Sequence, residues 1–313
     1  MQIKRLKKQA KHFHNFTGLK VEEFETLLDA VKKELEKEKE TPTRTRQRAV
    51  GGGRKPALEI EEQLLVLLMY YRLYVTQLLL GYLFDLDDSN VSRLIGRLRP
   101  ILLEVLPLPA RERGLFNERE KGEKRIARLD ELLGKHPEIQ ELLIDATEQE
   151  IQKPKDKQKR KDNYSGKQKR HTLKTQIASS KSGLVLHKTD ALPGKIHDVT
   201  VLRGTGVIPE IPDGFRVIVD KGYDGAQNDF PDTDFYQPYK ARRNKPLDFI
   251  QKCLNQIQTK HRIPVEHVLG HLQKFKILAA VYRGGRGNHS AYDDTFSIIT
   301  GLHNFKKLDS LSW

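Results

Sequence analysis

Two aspartates in this chain each close a short, strongly apolar run: Asp145 follows Leu142, Leu143 and Ile144, and Asp220 follows Val217, Ile218 and Val219. Runs of this kind read as strands buried in a sheet, and an ionised carboxylate at the end of such a strand must be solvated, hydrogen-bonded or bound to a cation. A third carboxylate, Glu266, stands between Val265 and Val268 in the helical pattern HRIPVEHVLGHLQKFKIL, whose apolar residues can pack it against the sheet, facing both aspartates. Strand ends are where α/β sheets gather ligands. Three acidic groups converging in a basic chain suit Mg2+ or Mn2+, hard cations that take oxygen ligands and keep waters for substrate phosphates. Two such ions, ~3.5–4 Å apart, can activate the attacking oxygen and stabilise the leaving oxygen of an in-line phosphodiester displacement. Taken singly, each residue also has an ordinary reading, because a strand-end Asp often caps a turn and an isolated helix Glu is commonly a surface charge.

The elements that must position these groups lie beyond residue 140. ELLIDATE, RHTLKTQIA, GLVLHKTDA, RVIVDKG and DFYQPYK are short apolar runs separated by turn signals, and read as five strands. HDVTVLR carries a helical pattern and a longer one covers residues 247–282, with Pro264 expected to kink or divide it. The result is an α/β domain of mixed topology. Between the first two strands, IQKPKDKQKRKDNYSGKQKR is too polar to pack and reads as a clamp for DNA phosphates or as a solvated loop. RGGRGNHS, at 283–290, lets the backbone and Arg286 approach phosphates, or serves as a flexible connection.

Upstream the texture is helical. Val21, Phe24, Leu27, Leu28, Val31 and Leu35 make an amphipathic helix over residues 21–38, and the following TPTRTRQRAVGGGRKP reads as a mobile basic linker or a DNA-touching loop. Residues 58–106 are strongly apolar and helical, broken at 85–88 just before Ser89, which is placed to cap a new helix. In that last helix Val91, Leu94, Ile95, Leu98 and Leu102 form a buried stripe, leaving Asn90, Ser92, Arg93 and Arg97 on the opposite face. That is the pattern of a helix-turn-helix whose second helix offers Arg and Asn to base edges in a major groove. A plain helical bundle with a solvated polar face gives the same pattern.

Composition favours a nucleic-acid partner. The 313 residues carry a formal net charge of +14, a field that attracts polyanions. The longest apolar stretches, such as residues 64–69, fall far short of the ~20 residues that span a bilayer, and the basic first residues lead into no apolar segment. No membrane role is expected, and a reducing cytoplasm, in association with chromosomal DNA, fits best. Cys253 is the only cysteine, which excludes an internal disulfide and a cysteine-clustered zinc site, and reads as packing in a helix.

IDATE at Asp145, PGKIHDVTVL at Pro193 to Leu202, VDKGYDG at Asp220 to Gly225 and RIPVEHVLGHLQKFKIL at Arg262 to Leu278, in that order and spacing, resemble the DDE transposases of bacterial insertion sequences, particularly those related to the fifth insertion-sequence family. The resemblance covers most of the chain. It implies an N-terminal helix and basic linker over residues 1–56, a helix-turn-helix-like DNA-binding region over 57–110, and an α/β, ribonuclease H-like catalytic domain over 138–313. It also implies that Asp145, Asp220 and Glu266 are the metal-binding triad of an enzyme that cuts transposon ends and joins them to target DNA, with two Mg2+ or Mn2+ ions. Arg262 and Lys274 become candidate phosphate anchors.

The family typically places Tyr, Arg, Glu and Lys at set intervals around the third carboxylate. Arg262 is kept, whereas Thr259 stands where the Tyr would be and Gln273 takes the Lys position, with Lys274 adjacent. His197 and Asp198 fall on a family His-Asp pair, which reads either as orienting a catalytic loop or as Asp198 capping the following helix. His267 and His271 read as facing solvent or phosphate and are assigned no metal. A homo-oligomer follows from the need to hold two DNA ends. Two rivals remain: a catalytically silent, transposase-derived DNA-binding protein, and a stand-alone metal-dependent nuclease.

Overall fold

The computed structural model describes residues 3–40, 56–112, 128–241, 243, 245–284 and 289–313. Residues 41–55 of the expected basic linker, and Arg286, lie outside the described residues. The chain divides into two compact units, one of Met1–Leu106 with Lys274–Ile277 and Ser312, the other of Pro107–Gln273, Leu278–Leu311 and Trp313.

The first unit holds six helices among its described residues: α1 (Ile3–Lys7), α2 (Ala10–Thr17), α3 (Val21–Glu40), α4 (Ile60–Leu73), α5 (Gln77–Phe84) and α6 (Asp88–Val105). The apolar stripe expected on α3 packs inward through Phe24, Leu27, Leu28 and Val31. Residues 58–106 form three helices where a single break was expected. Tyr74 ends α4 in the left-handed region, and Thr76 Oγ1 caps α5 by accepting from the Leu79 N–H at 3.2 Å. The expectation that Ser89 caps α6 is corrected: Asp87 is the N-cap residue and Ser89 lies inside the first turn, because the chain turns two positions earlier, after the left-handed Asp85. The α5–α6 turn is tight enough that a Cβ on Gly81 would come within 2.3 Å of the Leu86 carbonyl oxygen. Val91, Leu94, Ile95, Leu98 and Leu102 are buried as expected.

In the second unit the order is β1 (Ala110–Glu112), α7 (Leu129–Lys135), β2 (Glu141–Glu150), α8 (Lys157–Asp162), β3 (Tyr164–Ser165), β4 (Arg170–Ser179), β5 (Val185–Thr189), β6 (Leu192–Pro193), α9 (Asp198–Gly204), β7 (Arg216–Ile218), α10 (Ala226–Asp229), β8 (Asp234–Tyr236), α11 (Phe249–Leu272) and α12 (Ser290–Leu308). The five expected strands are all present. With β1 they lie in the order β1-β5-β4-β2-β7-β8, where β4 runs antiparallel to both β5 and β2, β1 is parallel to β5, and β2, β7 and β8 are mutually parallel. Three antiparallel strands continued by two parallel ones, flanked by helices, make the mixed sheet of a ribonuclease H-like fold.

Alternation along β2 separates two layers. Leu142 and Ile144 join Leu132, Leu133, Leu202, Val217 and Tyr223 in one core. Thr147 and Gln149 point the other way and line a small gap with Leu269, Leu272 and Phe296 of α11 and α12. Asn304 of α12 pins strand β5, accepting from Val185 N at 2.9 Å and donating to Val185 O at 2.8 Å.

Three expectations about this unit are corrected. The lysine-rich stretch is not wholly loop, since Asp156 accepts from Lys159 N at 2.7 Å and starts α8, which Asn163, itself buried, closes. Pro264 does not divide α11, and the helix stops at Leu272, short of residue 282. Both halves of α11 are anchored, one by Asn255 and Gln258 bonding Tyr239 and Gln237, the other by buried Val265, Val268 and Leu272, and this offsets the backbone bond that proline lacks. Finally, Asp145 does not end its strand. Among the described residues no helix is long and apolar enough to cross a membrane.

Candidate active site

The register of β2 and β7 brings two of the three carboxylates level. Leu143 pairs with Ile218 in a parallel ladder, so Asp145 and Asp220, each two residues further on, leave that pair at the same height and on the same side of the pleat. There β7 has ended, whereas β2 continues to Glu150 paired with β4, Asp145 lying opposite Ile177. The sheet loses a strand beside Asp145, and it is this loss, not the end of β2, that gives the carboxylate room. The parity of β2 puts Asp145 on the face that Thr147 and Gln149 turn toward α11.

Asp220 caps the 3-10 turn Lys221–Tyr223, its Oδ1 accepting from Gly222 N at 2.6 Å. A Cβ on Gly222 would come within 2.8 Å of both that oxygen and Asp198 Oδ2, so the two carboxylates flank one point and glycine keeps it open. Asp198 is therefore at the site. It does not cap its helix: His197, which is exposed, holds the N-cap position without a side-chain bond, and Asp198 Oδ1 instead accepts from Lys174 Nζ at 2.7 Å. Lys174, buried on β4, also donates to Ile196 O at 2.6 Å and lies 3.6 Å from Glu148.

Charge is crowded here. The Asp145 carboxyl is pushed up to about 6, by burial first, with the Ala146 N–H and Arg262 pulling down and Asp220 and Asp198 adding upward pressure. Tyr223, fully buried with its hydroxyl donating to Gln176 at 3.1 Å, has its phenol raised well above the usual value, by burial and then by Asp145, Asp198 and Asp220, and stays neutral. Glu266 sits on α11 beside buried Val265 and Val268, with its own side chain half exposed. Arg262, one turn earlier, joins the two parts: its Nη2 is 3.6 Å from Asp145 Oδ2 and 3.7 Å from Glu266 Oε1. Among the described residues no three His, Cys, Asp or Glu side chains stand as a closed ligand set.

Asn90, Ser92, Arg93 and Arg97 are all exposed on α6. Arg93 donates to Asn90 Oδ1 at 2.8 Å, and Arg97 donates to Gln63 of α4. Lys274 is exposed and belongs to the helical unit. Thr259 Oγ1 donates within its own helix, to Asn255 O at 2.9 Å, and Gln273 Nε2 donates to Thr147 Oγ1 at 3.3 Å. His267 and His271 are exposed. Sequence reasoning missed Lys174, Gly222 and Tyr223. A lysine within RHTLKTQIA, a strand otherwise suited to burial, was the signal for the first, and the conformational freedom of glycine in VDKGYDG for the second.

The family model described as DDE superfamily endonuclease matches residues 144–304, and that described as helix-turn-helix of DDE superfamily endonuclease matches residues 56–108. A probable transposase for insertion sequence element IS702, from Microchaete diplosiphon, is 31% identical over 315 residues, covering 98% of each chain. Among solved structures, the Mos1 transposase paired-end complex with left transposon end aligns over 89% of this chain and 85% of that one at 11% identity and a TM-score of 0.19, a similarity too low to bear on the site.

Proposed function

Because the chain belongs to the DDE transposases of insertion sequences, we propose that Asp145, Asp220 and Glu266 hold its divalent metal, and that α6 presents Asn90, Ser92, Arg93 and Arg97 to the ends of the element. The observation that carries this reading is the parallel register that sets Asp145 and Asp220 level on the face toward α11, where Glu266 lies. The donors suit the ion, being carboxylate oxygens, and the raised Asp145 carboxyl marks a crowding of negative charge that a divalent cation offsets. When bound, two Mg2+ or Mn2+ ions supply Lewis acidity to the phosphodiester and to the oxygen that attacks it.

Two displacements follow. In the first, the oxygen of a water bonds to the terminal phosphorus, the bond to the 3′ oxygen breaks, and the water's proton ends on that oxygen as a 3′ hydroxyl. In the second, this hydroxyl oxygen bonds to a target phosphorus and the displaced target 3′ oxygen takes the proton. No bond to the protein forms. Arg262 and Lys274 anchor phosphates, Lys174 fixes Asp198 beside Asp220, and neutral Tyr223 supports the floor without competing for protons. Two copies of the chain, acting on chromosomal DNA in the cytoplasm, would hold the paired ends.

The test is cleavage and strand transfer on DNA carrying the element's own ends, with Mg2+ or with EDTA, in wild type and Asp145→Ala. Metal-dependent joining, lost in the variant while DNA binding persists, is expected. Cleavage without preference for the ends and without joining would make the chain a plain nuclease, and binding without cleavage in any divalent metal would make it a silent DNA-binding protein.

A further inference from the structure

Two cations, Lys174 buried and Arg262 partly so, face the carboxylates of this site, and they are held differently. Lys174 Nζ makes short bonds to Asp198 Oδ1, 2.7 Å, and Ile196 O, 2.6 Å, and is locked in place. Arg262 is not. Its two ion pairs, at 3.6 and 3.7 Å, are longer than hydrogen bonds, and its Nε is buried with no hydrogen-bond partner among the described residues. A guanidinium carries five N–H donors in a rigid fork, and buried polar groups are normally satisfied. Here its charge is matched while its buried Nε lacks an acceptor, so its hold on Asp145 and Glu266 is through long ion pairs and not through short hydrogen bonds. Those are two of the three carboxylates assigned to the metal.

We propose that Arg262 is an exchangeable counter-ion: it neutralises Asp145 and Glu266 until the divalent cation takes them, and is then released to grip a phosphate of the bound DNA. This rests on the reading of the triad as the metal site. The exchange needs no movement of the backbone, because Arg262 and Glu266 share one face of α11 at i, i+4 and the arginine side chain is long enough to swing between carboxylate and phosphate. A phosphate supplies the short, bidentate acceptors that the present position lacks, Nε included. Metal loading and DNA binding are then linked, each strengthening the other through Arg262.

The experiment is calorimetric titration of the full chain with Mn2+, alone and bound to an unrelated duplex, for wild type, Arg262→Gln and Asp145→Asn. Without DNA, Arg262→Gln is expected to bind Mn2+ tighter than wild type by roughly tenfold, the competitor being gone. Bound duplex should tighten Mn2+ binding several-fold in wild type and hardly at all in Arg262→Gln, a loss of linkage that a merely structural arginine would not produce. Arg262→Lys, which keeps the charge, should retain most of the linkage. The proposal is overturned if Arg262→Gln binds Mn2+ no tighter than wild type, or if its linkage to DNA is intact. Unchanged Mn2+ affinity in Asp145→Asn would instead sink the triad reading, and this proposal with it.

Discussion

Lys174 on β4 and Asp198 at the start of α9 meet at 2.7 Å, and this buried pair ties the helix to the sheet beside Asp220. With Glu148 at 3.6 Å, the lysine balances two carboxylates whose side chains are largely covered. Lys174→Met removes the only short cationic contact of Asp198 among the described residues and leaves two buried carboxylates uncompensated, a change that typically costs about 3–5 kcal/mol. Urea unfolding should show that loss, and Lys174→Arg should recover part of it.

The Asp145 carboxyl, moved from 3.8 to about 6, makes stability fall as pH rises. The folded state holds the proton more tightly than the unfolded one, so this contribution is complete below the unfolded value and is lost as pH climbs through the folded one. A shift of about two units corresponds to about 3 kcal/mol for a side chain this well covered. In EDTA, Asp145→Asn should therefore be more stable than wild type at pH 7 by up to that amount, with the gap closing near pH 4. Added Mn2+ should reverse the order at pH 7, because only wild type gains from it. Equal stability of the two proteins in EDTA at pH 7 would remove the crowding on which this rests.

The two buried histidines pull the other way. His187, pushed down to about 3, and His303, pushed down to about 4, are held neutral chiefly by burial, His303 with its Nε2 2.8 Å from Gly183 O. Their folded values lie below the ordinary 6.5, so their contribution is present above that value and is lost as pH falls through it toward the folded values. His303→Gln should flatten the acid limb of the stability profile between about pH 6.5 and 4, as read from thermal melts in EDTA. An unchanged acid limb would mean that His303 does not charge on unfolding.

What was legible in the sequence follows from how it was written. The five strands could be read because apolar runs such as VIV and LLI are buried on both faces, and α6 because its stripe repeats at helical spacing. The end of β2 could not, since the strand read as ELLIDATE runs on through Gln149 and Glu150, polar residues held by pairing to β4 and not by an apolar pattern of their own. Helix α8 was hidden for the same reason, a run of charges with no apolar period, fixed by a cap at Asp156. Asp145, Asp220 and Glu266 could be singled out because each follows or adjoins apolar residues. The Lys174–Asp198 pair could not, because a contact between residues 24 apart leaves no spacing signal.

Gly81 allows the turn between α5 and α6 to close. A Cβ there would press to 2.3 Å from the Leu86 carbonyl oxygen and 3.5 Å from Asp88 N, and both are backbone atoms that cannot rotate away. Gly81→Ala should destabilise the helical unit by about 1–3 kcal/mol through overpacking, visible as a lower melting temperature. An alanine variant that melts with wild type would show that α5 and α6 can separate freely.

Arg93 and Arg97 are one turn apart on α6, yet their partners set them different tasks. Arg93 bonds Asn90 on its own helix at 2.8 Å, and both side chains are exposed, so losing the arginine disturbs nothing beneath it. Arg97 reaches Gln63 of α4, a buried glutamine whose Nε2 donates to Leu58 O at 2.7 Å. Arg93→Ala should therefore weaken binding to the element's ends and relax base preference, by about 1–3 kcal/mol if it reads a base edge, without lowering the melting temperature. Arg97→Ala should lower both affinity and melting temperature, since it strips Gln63 of a partner in the core. Fluorescence anisotropy with end and scrambled duplexes over a salt series separates the roles further. A base-reading Arg93 alters the ratio of the two affinities, whereas a residue that touches only phosphate lowers both alike and reduces the salt slope by about 1.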